Sequence, residues 1–122
     1  MPLIAIVDDD ASVRSATAKL VRLHGFPVRG FASAEEFLGS AALEETACLI
    51  SDVRMPGMSG PDLQQRLAEI GRRIPVIFIT AFPVEAERMR AERAGAAGFL
   101  TKPFAAEALM ACVRDALGRQ PD

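Results

Sequence analysis

The side chains best suited to chemistry in this sequence are three carboxylates, one hydroxyl and one ammonium, and each comes just after a short apolar run. Asp8 and Asp9 follow Leu3-Ile4-Ala5-Ile6-Val7, Asp52 closes Cys48-Leu49-Ile50-Ser51, Thr80 ends Pro75-Val76-Ile77-Phe78-Ile79, and Lys102 comes after Gly98-Phe99-Leu100-Thr101. Brought together, three carboxylates repel one another and raise each other's pKa unless a cation offsets them. All-oxygen ligation without His or Cys selects a hard ion, and few protein ligands with room for water favour Mg²⁺ over Ca²⁺. A Mg²⁺ site faced by a Lys and a Thr suits a phosphoryl group. The cation spreads the phosphoryl charge, Lys102 supplies a mobile positive charge, and Thr80 donates a hydrogen bond. An aspartate can itself be the nucleophile and form an aspartyl phosphate, and Asp52 is the best placed to attack. Taken singly, each position has an ordinary explanation, since a triple Asp is commonly a solvated turn that caps a helix. The recurrence at four strand ends is what points to a site.

The elements that must deliver these residues alternate in kind. Leu3–Val7 is a continuous apolar run, the mark of a strand buried on both faces. Over residues 11–24 the spacing of Val13, Ala16, Thr17, Leu20 and Val21 predicts a helix, with Gly25 as its C-terminal stop. Residues 26–31 read as a second, weaker strand. Ser33-Ala34-Glu35-Glu36 is a capping-box pattern that opens a helix to about Leu43. Residues 55–60 are turn material, and a helix carrying Leu63, Leu67 and Ile70 on its inner face follows. Residues 83–94 form a charged helix offering the core Val84, Met89 and a few alanines, and Leu109, Cys112, Val113, Ala116 and Leu117 form the inner stripe of a last helix. Five strands alternating with five helices predict an α/β, doubly wound parallel sheet. In such a sheet ligands bind outside the carboxyl ends of the strands, where the strand order reverses.

Composition narrows the function. The 122 residues include 14 basic and 16 acidic side chains, a net charge of −2, and half are apolar, which fits one domain with one core. A polyanion-binding protein is usually basic, so direct nucleic-acid binding is not expected. No apolar run approaches the ~20 residues that span a bilayer, and residues 2–7 are too short for a signal-peptide core. Cys48 and Cys112 form no metal-binding spacing and read as small core residues, which makes a reducing, cytoplasmic setting the expectation. One His and no Trp or Tyr leave little for His-based catalysis, and His24 beside Gly25 suits the end of a helix. No phosphate-binding glycine loop is present.

Ile6-Val7-Asp8-Asp9-Asp10, Asp52-Val53-Arg54-Met55-Pro56-Gly57-Met58-Ser59-Gly60, Ile79-Thr80-Ala81 and Phe99-Leu100-Thr101-Lys102-Pro103-Phe104 together resemble the receiver domain of bacterial response regulators, and the second run is similar to FixJ-type regulators. The resemblance covers nearly the whole chain. It implies a CheY-like sheet of order 2-1-3-4-5 over residues 1–118, with 119–122 a tail or the start of a linker. By the same resemblance Asp52 is the phosphoacceptor for a sensor histidine kinase. Asp9, Asp52 and the Arg54 backbone carbonyl would ligate Mg²⁺ (with Mn²⁺ able to substitute), and Asp8 would act through a water. Lys102 would pair with the phosphoryl oxygens and form a cis bond to Pro103. Thr80 and Phe99 would be the switch pair, and Ala81 would leave the phosphoryl group room. Arg54 and Phe82, each two residues past a site residue, resemble positions that tune hydrolysis of the acyl phosphate. The output would be a signal rather than turnover: the face of helix 4, strand 5 and helix 5 would control an output domain, transcriptional in relatives of this kind, or a homodimer through helix 4 and strand 5.

Two other functions compete. A haloacid-dehalogenase-type phosphatase uses an Asp nucleophile within a DxD pattern, which Asp8 and Asp10 match in spacing, but Asp52 followed by Met-Pro-Gly argues against it. Flavin binding on a similar sheet lacks both a phosphate loop and the aromatic residues that would sandwich a ring. Met55 and Met58 are expected at the edge of the site, and Asp10 as a helix cap.

Overall fold

A computed structural model describes residues 1–118; the tail assigned to 119–122 lies outside the described residues. Strands and helices alternate as β1 (Leu3–Val7), α1 (Ala11–Leu23), β2 (Val28–Phe31), α2 (Ala34–Leu38), a 3₁₀ turn (Ala41–Glu44), β3 (Thr46–Asp52), α3 (Gly60–Glu69), β4 (Val76–Thr80), α4 (Glu85–Arg93), β5 (Gly98–Thr101) and α5 (Ala106–Gly118). The strands are all parallel, in the order β2-β1-β3-β4-β5. The doubly wound α/β sheet expected from the alternation is thus the one observed.

The two-residue period of a strand explains why the apolar runs are continuous. Ile4, Ile6, Ile50, Ile77 and Ile79 point to one side, where they meet Val21 of α1 and Leu109, Met110 and Val113 of α5. Ala5, Val7, Leu49 and Phe78 point to the other, against Phe37, Leu63 and Leu67. Each of these large side chains contributes roughly 1.5–3 kcal/mol by leaving water, so the central strands are the stiffest part of the molecule. From β1 the chain runs outward to β2 and then returns across to β3. The connections that follow β1 and β3 therefore diverge to opposite faces, and the crevice between them opens beside Val7 and Asp52.

Several local expectations need correction. The helix opening at Ser33 ends at Leu38 rather than near Leu43. Gly39 closes it, and Ser40 caps a separate 3₁₀ turn by accepting the Ala42 N–H. The second strand begins at Val28, since Pro27 has no N–H to give and only its carbonyl pairs, with Ile4 N. Ile70 is the C-cap of α3 and is exposed. Met110, not Cys112, is fully buried in α5, because Cys112 sits at the edge of the stripe over Gly98. Helix α4 starts two residues later than expected, where Glu85 and Glu87 favour the positive end of the helix dipole. Its Val84 and Met89 are each 41% exposed, leaving Ala91 as its buried residue. Met55 and Met58 are partly buried and pack against the second core layer.

One contact locks the end of β3. Gly60 begins α3 and its N–H bonds the Val53 carbonyl at 2.9 Å, while Ser59 and Asp62 close a reciprocal capping box around the same turn. A Cβ on Gly60 would fall on the Asp52 carbonyl oxygen and within 2.9 Å of Phe78 Cε1. Gly60→Ala is therefore expected to cost about 3 kcal/mol, at the upper end of overpacking effects. Gly25→Ala, with open space around it but a φ of +92°, should cost about 1 kcal/mol from backbone strain alone. Urea unfolding of both variants checks the ranking; equal costs would mean that α3 does not press on β3.

Candidate functional site

The carboxyl ends of β1, β3, β4 and β5 bring the expected residues to one rim. Asp8 is fully buried; its Oδ1 accepts the Asp10 N–H at 2.9 Å and its carbonyl accepts Arg14 Nη1 at 2.7 Å. Asp9 stands exposed on the rim, and Asp52 is nearly buried. One carboxylate oxygen from each of Asp8, Asp9 and Asp52 lies within 4.8 Å of the others. Lys102 Nζ reaches between two of them, donating to Asp8 Oδ2 at 3.2 Å and to Asp52 Oδ2 at 3.3 Å. Asp10 takes no part: its carboxylate accepts the Ser12 and Val13 N–H groups and caps α1.

Electrostatics set the character of this cluster. Burial pushes the Asp52 carboxyl up, and the neighbouring Asp8 charge adds to it; Lys102 and the Arg54 backbone N–H pull the other way without cancelling the rise. Burial alone would lower Lys102, but Asp8 and Asp52 outweigh it and hold the ammonium above its usual range. Asp8 and Asp52 thus share one ammonium with Asp9 close by, and a further positive charge at the rim would offset the excess negative charge. The donor set consists of carboxylate oxygens only, which fits a hard divalent cation and not a soft one.

Beside the acids is a cavity of about 130 Å³ lined by Asp52, Arg54, Thr80, Ala81, Phe82 and Lys102. Thr80 is buried, and its Oγ1 accepts the Phe82 N–H at 3.1 Å, so the hydroxyl proton is what it can offer an anion in the cavity. Phe82 is 71% exposed and stands at the mouth. Phe99 lies half-buried on β5, paired in register with Phe78, their ring centroids 6.3 Å apart. The Lys102–Pro103 bond is cis. A wider groove of about 410 Å³ near the C-terminal ends of α3 and α4, lined by Leu67, Ala68, Ile74 and Val76 among others, holds no carboxylate, so volume alone does not mark the site. Cys48 is a core thiol pushed up to about 12, first by burial and then by its neighbour Cys112.

Three supporting residues escaped the sequence reading. Arg14 lays its stem across Gly30 and holds the Asp8 backbone; only its place one turn into α1 hinted at this. Glu35 accepts the Met58 N–H at 3.2 Å and so steadies the turn after β3. Glu87 of α4 pairs with Arg54 at 2.9 Å. The last two link distant segments, and nothing in local spacing announces them.

Residues 4–114 match the response regulator receiver domain family. The chain is 46% identical over 119 residues to the response regulator protein TmoT of Ectopseudomonas mendocina, which covers 98% of this chain and 54% of that protein. It is 37% identical over 119 residues to the transcriptional regulatory protein FixJ of Azorhizobium caulinodans, covering 98% and 56% respectively. The backbone superposes on the crystal structure of FixJ-N with a TM-score of 0.90 at 32% identity, covering 100% of this chain and 98% of that one. The chain thus spans about half the length of the curated relatives it matches. Among the described residues no helix is long and apolar enough to cross a membrane.

The imbalance of charge has a measurable sign. Because the folded-state pKa of Asp52 is raised, the cost of ionising it is absent below the unfolded-chain pKa, grows as the pH rises above that, and is complete once the folded-state pKa is passed. In EDTA, Asp52→Asn is expected to raise Tm by roughly 3–6 °C near pH 8, equivalent to about 1 kcal/mol, and the gain should shrink as the pH falls toward 4. Lys102→Met should do the opposite, costing about 2 kcal/mol at neutral pH by leaving Asp8 buried without its cation. A destabilised Asp52→Asn would contradict the charge assignment.

Proposed function

Because the chain belongs to the response regulator receiver family, we propose that it is a phosphorylatable switch whose Asp52 accepts a phosphoryl group from a sensor histidine kinase. The observation that carries the reading is the placement of Lys102 between Asp8 and Asp52, beside a cavity that Asp52 and Thr80 line together. An Asp52 carboxylate oxygen attacks phosphorus, the bond from phosphorus to the donor's imidazole nitrogen breaks, and an acyl phosphate forms on Asp52. Asp9, Asp52 and the Arg54 backbone carbonyl, with Asp8 through a water, would hold Mg²⁺ or Mn²⁺, which when bound neutralises phosphoryl charge.

The remaining roles belong to the chain's own side chains. Lys102 moves its contacts from carboxylate to phosphoryl oxygens. Thr80 turns its hydroxyl to the same group, and Phe99 follows it inward. Ala81 leaves the cavity free of bulk. These contacts exist only while the phosphoryl group does, and that difference shifts the population of conformers. The output face is α4, β5 and α5, through which the phosphorylated domain dimerises or controls a transcriptional output domain in the cytoplasm. The domain does not itself bind nucleic acid, and its catalysis is limited to its own phosphoryl transfer and loss. The competing phosphatase reading needs Asp8 and Asp10 at one centre, whereas Asp10 is committed to capping α1.

Intact-mass measurement after incubation with acetyl phosphate and Mg²⁺ should show one added phosphoryl group per chain, absent in Asp52→Asn and in EDTA. No adduct, or one that survives Asp52→Asn, would overturn the assignment. On the phosphorylated protein, Phe82→Ala and Arg54→Ala should each shorten the phosphoryl half-life several-fold by admitting water to the cavity; unchanged half-lives would remove both residues from that role.

A further inference from the structure

Helix α4 is loosely held. Val84 gives it no side-chain cap, Ala91 is its buried residue, and Val84 and Met89 are exposed. Arg88 pairs with Glu85 and Glu92 inside the same helix, which stiffens α4 without tying it to the body. Two side-chain bonds reach outward among those described. Gln64 Nε2 donates to the Ala94 carbonyl at 3.4 Å at the far end, and Arg54 Nη2 meets Glu87 Oε1 at 2.9 Å near the start.

Arg54 is also two residues from Asp52. It lines the cavity formed with Asp52, Thr80 and Lys102, and it lines the adjoining one of about 300 Å³ that contains Glu87 and Arg90. One guanidinium therefore borders both the phosphoacceptor and the first turns of α4. We propose that Arg54 is the charge sensor of the switch: it holds α4 through Glu87 in the unphosphorylated state and exchanges that partner for phosphoryl oxygens when Asp52 is modified. The inference builds on the receiver reading above. A phosphoryl group carries more charge than one carboxylate and accepts the guanidinium fork in two parallel bonds, so it wins the competition for Arg54. Glu87 is then left beside Arg90, one turn along and lining the same cavity. The start of α4 loses its tie to the loop after β3. Both members of the pair are partly exposed, so the tie is weak, as a reversible switch requires.

The test is amide hydrogen exchange across residues 83–94 in the whole chain, with and without acetyl phosphate and Mg²⁺, and with intact mass reporting the phosphoryl adduct. Wild type should exchange about twofold to fivefold faster when phosphorylated, the range for a half-exposed ion pair. Glu87→Gln should reach that faster rate unphosphorylated and gain little more on phosphorylation. Glu85→Gln, whose partner Arg88 lies on the same helix, should exchange somewhat faster in both states but keep the wild-type factor on phosphorylation. The proposal is overturned if unphosphorylated Glu87→Gln matches wild type, or if phosphorylation accelerates it by the same factor as wild type, since a merely structural tether would add independently. Absence of the adduct would overturn the receiver chemistry and the partner exchange with it, and the mass would show that before any exchange rate is read.

Discussion

Three carboxylates meet at one rim with an ammonium bridging two of them, and the rest of the molecule is organised to keep them there. Asp8 is buried, Asp52 nearly so, and Lys102 is shared between them rather than assigned to either. Charges in such a setting cost stability unless they are compensated, and here the compensation is partial. A domain of this size has only a modest margin of stability overall. A standing repulsion at its centre is therefore a sizeable fraction of what holds it folded. The same repulsion makes the site responsive, because any added cation or any redistribution of negative charge changes the balance.

The fold supplies the rigidity that this imbalance demands. Strands β1 and β3 are buried on both faces and lie side by side at the point where the connections diverge, so their ends cannot drift apart to relax Asp8 and Asp52. Gly60 lets the start of α3 press on the carbonyl of Asp52 itself, and Glu35 steadies the turn between them. Arg14 fixes the backbone of Asp8 from the other side. Against this stiff rim stands α4, with one buried alanine and mostly charged side chains. The molecule thus sets a tightly packed, charged rim beside a loosely anchored helix.

Much of this could be read from residues alone, and the reason is physical. A strand buried on both faces must be apolar throughout, so each of the central ones stands out as a run, and the polar residue that ends it marks the rim. Asp8, Asp52, Thr80 and Lys102 are legible that way. The helices were less legible. Periodicity gives the side of a helix on which Met89 or Ile70 lies, but not how far the helix stands from the sheet, and both residues are exposed. Gly39 and Ser40 break and recap the chain where the apolar pattern ran on unbroken to Leu43. Partners distant in sequence, such as Arg54 with Glu87 or Glu35 with Met58, depend on how loops settle against helices, and no local pattern encodes them.

The most direct test of the carboxylate cluster is the dependence of stability on Mg²⁺. Thermal unfolding of the wild-type chain in EDTA and in excess Mg²⁺ should differ by several degrees, since a ligand at a hundred times its Kd stabilises by about 2.7 kcal/mol. The difference should vanish in Asp9→Asn and Asp52→Asn, although both remain folded. A wild-type Tm indifferent to Mg²⁺, or the same Mg²⁺ gain in both variants, would contradict the account.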